Sequence, residues 1–529
     1  MFIMTYCPLG YEGIVIRVEA DIRRGIPGID ISGLAAGAVR EARERVRAAF
    51  RNSGFRFPND RILINLAPAG VRKDGAALDL AIALAVMAAA GDIPPVPDTM
   101  VLGELEISGR VRPVRGTLAA AAAGRAAGIR HFIVPSANAA EAAILDGCDV
   151  AGADDLEDAV NAVRCLRENG RLPGPARFPS QADAPVQDEG TLSFGDVRGQ
   201  KRYKRALEIA AAGAHNLLVF GPPGSGKTML ARRLPSIMPQ LTQDEAITVT
   251  RIHSLAGITV NGLVRQPPFR SPHHSASAEG ILGGGHCARP GEISLAHYGV
   301  LFLDEAPEFK VNVLQSLREP LEDRRITISR AENSVQMPAD FQLVMAANPC
   351  PCGRLGMRPA ERGGDDGDSG GAMAADGTGC YCSGSEVLRY WRRFGGALLD
   401  RMELRVAVNT PYVSELCTRP DEPDEAVAAR VERAAAIQRE RYADAGFRRN
   451  SGMESAAIDR YCKLGGAALA AFTKAVEKLG ISGRAYHGIL RMARTIADLE
   501  AADSVGMEHI LEAVQYRRQG DDPYDVFSA

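Results

Sequence analysis

The sequence predicts an α/β protein: an N-terminal α+β domain, a linker, a second α/β core and a C-terminal helical lid. Three observations carry this. Short apolar runs alternate with helical stretches through residues 1–165 and again through 193–410, the pattern of strands layered with helices. Within the second region, three apolar runs each end in residues suited to phosphate chemistry: a glycine-rich loop after 217–220, an acidic pair after 300–303, and Asn348 after 341–347. From 411 to 516 the strand pattern stops and Ala/Arg/Glu-rich helical periodicity takes over, clearest in "ARVERAAAIQRERYA" and "LRMARTIADLEAAD".

The chain has 529 residues, enough for several domains, with 46% hydrophobic and 24% charged residues. A net charge of -3 excludes a globally basic surface, so nucleic-acid binding needs local patches. The longest apolar stretch, 76–90, contains Asp79, which favours a buried helix over a membrane span. The start "MFIMTYCPLG" lacks a basic region and a cleavage pattern, so a cytoplasmic protein with reduced cysteines is expected.

In the N-terminal domain, "RILINLAPAG" (61–70) reads as strand and turn, 77–91 as a buried helix and "HFIVPSA" (131–137) as a strand. Residues 166–192 are rich in Pro, Gly and polar side chains and read as a linker. The glycine-laden stretch 353–379 reads as a loop inside a Cys-rich segment, 350–382, and 517–529 as a tail.

The run "LLVFGPPGSGKTMLARRL" holds Gly221, Pro222, Pro223, Gly224, Ser225, Gly226, Lys227 and Thr228 between a strand and a helix. That is the G-x-x-x-x-G-K-[ST] phosphate loop in its confirming context. Backbone N–H groups from Gly224 to Lys227 can wrap the phosphates of ATP, Lys227 reaches the β/γ-phosphates, and Thr228 reaches Mg2+. In "GVLFLDEAPEF", Asp304 suits the Mg2+ shell and Glu305 suits a general base for water.

Together these segments resemble an AAA+ ATPase. The resemblance implies that "DVRGQ" (196–200) packs near the adenine and that Asn348 is the sensor orienting water. It also implies that Arg401 in "LLDRMEL" is the arginine offered to a neighbouring subunit's ATP, and that Arg484 in "ISGRAYHGILRMARTIADL" is the second sensor of the lid. An arginine acting in trans implies a homo-oligomeric ring, with a hexamer expected.

Two inserts narrow the class. Residues 265–299 are too long and irregular for a plain connecting helix. In 325–344, apolar alternation on both sides of a polar turn near 331–334 reads as a β-hairpin. They resemble the helix-two insert and pre-sensor hairpin of the AAA+ branch containing magnesium chelatase motors and ring helicases, where such elements face a central channel; Lys310 and Arg330 are candidate DNA contacts. His273, His274 and His286 read as hydrogen-bonding residues of the insert, because no ligand spacing completes a metal set.

"RSPHHSASAEGILGGG" with "RPGEISLAHYGVLFLDE" is similar to the YifB/ComM group of magnesium-chelatase-like ATPases, across nearly the whole chain. The resemblance implies an N-terminal Lon-protease-like (ribosomal S5-like) domain and an ATP-driven DNA helicase, with single-stranded or branched DNA as its partner, that promotes branch migration of recombination intermediates during natural transformation. A magnesium-chelatase-like or MoxR-like ATPase remodelling a protein partner is the alternative, and a non-motor nucleotide switch a further one. "GGALLDR" replaces the family's usual Ser-Gly-Pro before Leu-Leu-Asp-Arg. In the Lon-like motif, Lys73-Asp74-Gly75-Ala76-Ala77 puts alanine where Lon carries its serine, and 117–120 lacks the matching lysine, so Ser/Lys proteolysis is not expected.

Cys350-x-Cys352 and Cys380-x-Cys382 form two pairs that suit tetrahedral Zn2+; free thiols and a redox pair are the other readings. Cys7, Cys148, Cys165, Cys287, Cys417 and Cys462 are scattered, and core packing is their default.

Overall fold

The fold is that of a computed structural model, which describes residues 1–34, 37–73, 75–174, 192–258, 262–285, 288–329, 334–355, 380–410 and 422–518. Arg330, His286, Cys287, Cys417 and residues 519–529 of the expected tail therefore lie outside the described residues, as does most of the expected linker.

The N-terminal domain is a seven-stranded mixed sheet ordered Gly28–Ser32, Arg61–Ala67, Ile14–Arg23, Phe2–Cys7, Thr99–Val101, His131–Pro135, Asp149–Ala153. The expected buried helix spans Asp79–Ala90, is buried almost throughout, and stops where Gly91 adopts φ 85°, a left-handed cap that favours glycine. The helix Leu156–Asn169 runs into the stretch read as linker. It does so because Leu166 and Leu172 pack on the N-terminal core, which outweighs the local Pro/Gly signal.

The second sheet has five strands, ordered Phe269–Arg270, Val300–Leu303, Gln342–Ala347, Leu217–Phe220, Leu404–Ala407. All adjacent pairs are parallel. The three central strands are apolar at every position but one because both faces are covered. Leu217, Val219, Val300, Phe302, Val344 and Ala346 face one core; Leu218, Phe220, Leu301, Leu303, Leu343 and Met345 face the other. The first core also holds the helix Lys201–Gly213 and the C-terminal helices. The expected lid is thus built into the underside of the sheet, through Ile489, Met492, Ile496 and Tyr516, and Arg205–Glu512 and Arg430–Glu208 ion pairs stitch it to Lys201–Gly213.

The hairpin forms as Arg325–Ser329 against Ser334–Pro338, with Ile326 opposite Met337 and Ile328 opposite Val335. The N-terminal domain docks on the core through the helix Gln243–Ala256. Arg251 lies 4.1 Å over the Tyr11 ring and donates to the Tyr11 carbonyl, Ser254 donates to Glu141, and Leu255 sits in the N-terminal core. Gly10 meets the hairpin so closely that a Cβ there would overlap Val335.

Candidate nucleotide site

In a parallel sheet every strand starts at one edge and ends at the other, which sorts the candidate residues into two groups. At the C-terminal edge, Leu217–Phe220 leads into the phosphate loop and then the helix Lys227–Ala231. Gly224 and Gly226 take φ of 76° and 84°, open to glycine at little cost, and a Cβ on Gly221 would lie 2.1 Å from the Val408 carbonyl oxygen. The loop is held from outside by Gln200, whose side-chain N–H donates to the carbonyls of Ser225 (3.1 Å) and Asn409 (2.7 Å). Tyr203 donates to the Lys227 carbonyl at 3.1 Å.

Lys227 Nζ donates to the carbonyls of Gly221 and Pro222, each at 2.8 Å, and to Asn348 Oδ1 at 3.4 Å. Burial pulls its pKa down to about 8, opposed by the negative charges of Asp304 and Glu305. Thr228 Oγ1 donates to Asp304 Oδ2 at 2.8 Å. Lys227, Thr228, Asp304 and Asn348 therefore converge from three adjacent strands. A buried cation within a glycine-rich loop at a helix N-terminus suits a triphosphate, and a hydroxyl–carboxylate pair of hard oxygens suits Mg2+.

Glu305 sits at φ 48°, a left-handed conformation uncommon for a non-glycine residue. Its carboxylate is more than half exposed and lies 3.9 Å from His274 Nδ1 of the insert. His273 and His274 stack at 4.1 Å. The sequence gives no hint that this histidine meets the acidic pair. Lys310 is exposed just beyond, capping the helix Val311–Ser316.

The arginines lie elsewhere. Arg401 precedes Leu404–Ala407, whose first N–H donates to the Asn216 carbonyl ahead of Leu217–Phe220. It thus sits at the N-terminal edge, separated from the phosphate loop by a four-residue strand about 13 Å long. Arg401 and Arg484 converge on Glu322 Oε1, at 2.5 and 2.6 Å. Both line a cavity of about 740 Å³ with Arg324, Arg491 and Glu403. The Arg401 segment is anchored from the C-terminal helices: Arg517 donates to Asp400 and to the Met402 carbonyl, and buried Glu403 is held by His215 and Arg491. Arg484 is therefore not brought to its own subunit's phosphate loop.

In the N-terminal domain, Ala77 lies in a 3-10 turn, Ala76–Leu78, and Thr117 begins the helix Thr117–Ala126. Lys73 is fully buried and donates to the carbonyls of Gly33 and Pro68.

The four paired cysteines come together, with every Sγ within 4.8 Å of the others. Of the scattered ones described, Cys7 and Cys462 are buried, while Cys148 and Cys165 are partly exposed.

Fold and site define an AAA+ type ATPase of the magnesium-chelatase-like kind. Three family models match: "Subunit ChlI of Mg-chelatase" over residues 18–138, "Magnesium chelatase, subunit ChlI" over 193–363, and "Magnesium chelatase, subunit ChlI C-terminal" over 421–517. The chain is 39% identical to the competence protein ComM of Haemophilus influenzae over 514 residues, 96% of each chain. It is 39% identical to YifB of Escherichia coli over 516 residues, 97% of this chain and 96% of that one. A magnesium-chelatase 38 kDa subunit of Rhodobacter capsulatus is 25% identical over 189 residues, 32% of this chain and 53% of that one. The chain belongs to the ComM/YifB family of magnesium-chelatase-like proteins. Among the described residues no helix is long and apolar enough to cross a membrane.

Proposed function

We propose that this chain is the subunit of an ATP-driven ring, a hexamer, that moves along DNA and promotes branch migration of recombination intermediates during natural transformation. The observation that carries the ring is the separation of the two edges: Lys227, Thr228, Asp304 and Asn348 on one, Arg401 and Arg484 on the other. A subunit so built offers its arginines to a neighbour's ATP and receives its own from the opposite side.

Bound Mg2+ would neutralise developing phosphate charge, held by Thr228 and Asp304. Lys227 would release its carbonyl partners for the β/γ-phosphates. Asn348 would orient the water, and Glu305 would take its proton. Arg401 and Arg484 of the adjoining subunit would stabilise the transferring charge. The N-terminal domain is a scaffold in this reading: at Ala77 there is no nucleophilic atom, and Lys73 is committed to carbonyls.

DNA as the track is supported by the likeness to ComM, a competence protein, and by the presence of the hairpin and of exposed Lys310, elements that would face the channel of such a ring. The test is ATP turnover by the assembled protein with and without single-stranded and branched DNA. Stimulation is expected. Absence of both stimulation and DNA binding at low salt refutes the DNA motor and favours the protein-remodelling alternative.

A further inference from the structure

We propose that Cys350, Cys352, Cys380 and Cys382 form a closed tetrathiolate site for one zinc ion, and that this clip braces the phosphate loop. The sulfur separations are the first reason: 3.3 Å for Cys350–Cys352, 3.7 Å for Cys350–Cys380 and 3.6 Å for Cys352–Cys380. Zinc held by four thiolates at about 2.3 Å sets them about 3.8 Å apart.

The second reason is the surrounding donors. The Leu355 N–H points at Cys350 Sγ, 3.4 Å away, and the backbone N–H groups of Arg354 and Tyr381 point at Cys352. Such groups stabilise thiolates and orient metal ligands. Four sulfurs and no oxygen select a soft or borderline metal, and a filled tetrahedron leaves no position for substrate, so the site is structural. Zinc replaces the thiol protons, which leave to solvent, and no electrons move.

The brace comes from what the clip touches. Gly353, between the two ends of the clip, has φ 76°, and a Cβ on it would stand 2.9 Å from Pro223 of the phosphate loop and 3.9 Å from the Asn348 side chain. On the other side, Cys382 leads into the helix Gly384–Arg392. There Trp391 donates to the Pro349 carbonyl at 2.9 Å and packs edge-on against Phe220, the last residue before the loop. Joining the two Cys pairs thus fixes Asn348 and the phosphate loop from both flanks.

Elemental analysis of the full chain purified under reducing conditions should find one zinc per chain. Cobalt substitution should give thiolate charge-transfer and tetrahedral bands. Cys352→Ser/Cys382→Ser should lose the metal while Cys165→Ser keeps it; should the double variant not fold, Cys382→Ser should release zinc to a chelator faster than wild type. A metal-free or iron-loaded wild type, or unchanged zinc retention in the cluster variants, overturns the site. Gly353→Val should keep its zinc yet bind an ATP analogue about tenfold or more weakly, the scale of effects from supporting contacts. Unchanged affinity in the zinc-loaded variant overturns the brace. That arm rests on the phosphate loop holding ATP, which analogue binding to wild type checks separately.

Discussion

The two edges of the five-stranded sheet are opposites in charge and in completeness. At the C-terminal edge a buried lysine faces carbonyl oxygens, an asparagine and two acidic residues. At the N-terminal edge two arginines already share one carboxylate, Glu322. Each edge has what the other lacks. A single strand's length keeps them apart within a subunit; in the proposed ring a second copy would join them.

The sharpest way to break this comparison is to disable one edge at a time. Arg401→Ala should leave ATP binding intact and lower turnover by about 1,000-fold, the scale of an arginine finger. Lys227→Ala should abolish binding. Mixing the two inactive proteins should restore part of the turnover, because interfaces then form with an intact loop on one side and an intact arginine on the other. Steady-state ATPase of the mixture checks this; no recovery in rings shown to contain both variants would mean that Arg401 acts elsewhere.

How much of this was legible depended on how far each feature reaches along the chain. The phosphate loop, Asp304 and Asn348 could be read because each is the residue or loop directly after an apolar strand, a local pattern. The hairpin was legible through alternation, which fixes the pairing of Ile326 with Met337. The meeting of Arg484 with Glu322 spans 162 residues and leaves no local trace. The same holds for His274 beside Glu305, and for Gly353 against Pro223: spacing could pair the cysteines but could not say what they lean on. The linker boundary was misplaced for the same reason, since Leu166 and Leu172 are held by tertiary contacts that composition does not record.

A milder perturbation is pH, which acts on the C-terminal edge alone. Lys227 in the free site has a pKa of about 8, and phosphates would raise it by supplying opposite charge. Below about pH 8 the free site already carries the proton, so this group adds no pH dependence. Above it, each ATP bound must bring a proton with it, and the apparent Kd should rise about tenfold per pH unit until the bound-state pKa is passed. Analogue binding across that range, with proton uptake measured calorimetrically in two buffers, checks the sign. A flat Kd would mean that the phosphates do not meet Lys227 as a cation.

The smallest expected effect lies at the N-terminal edge, in Glu322. It is about half exposed, and a pair of that kind is worth about 1 kcal/mol or less, equivalent to about fivefold in an equilibrium. Its single oxygen stands where two arginines expect an anion. If it is a placeholder for a neighbour's phosphate, ATP must displace it before the interface closes. Glu322→Gln should then lower the ATP concentration for half-maximal turnover by about two- to fivefold, with little change in the maximal rate. If the carboxylate instead aims the arginines in the closed ring, the same variant should raise that concentration and slow turnover. The opposite signs make this small effect decisive: it tells whether the arginine edge waits with its charge masked or stands ready, with the phosphate loop as the only side that must change on assembly.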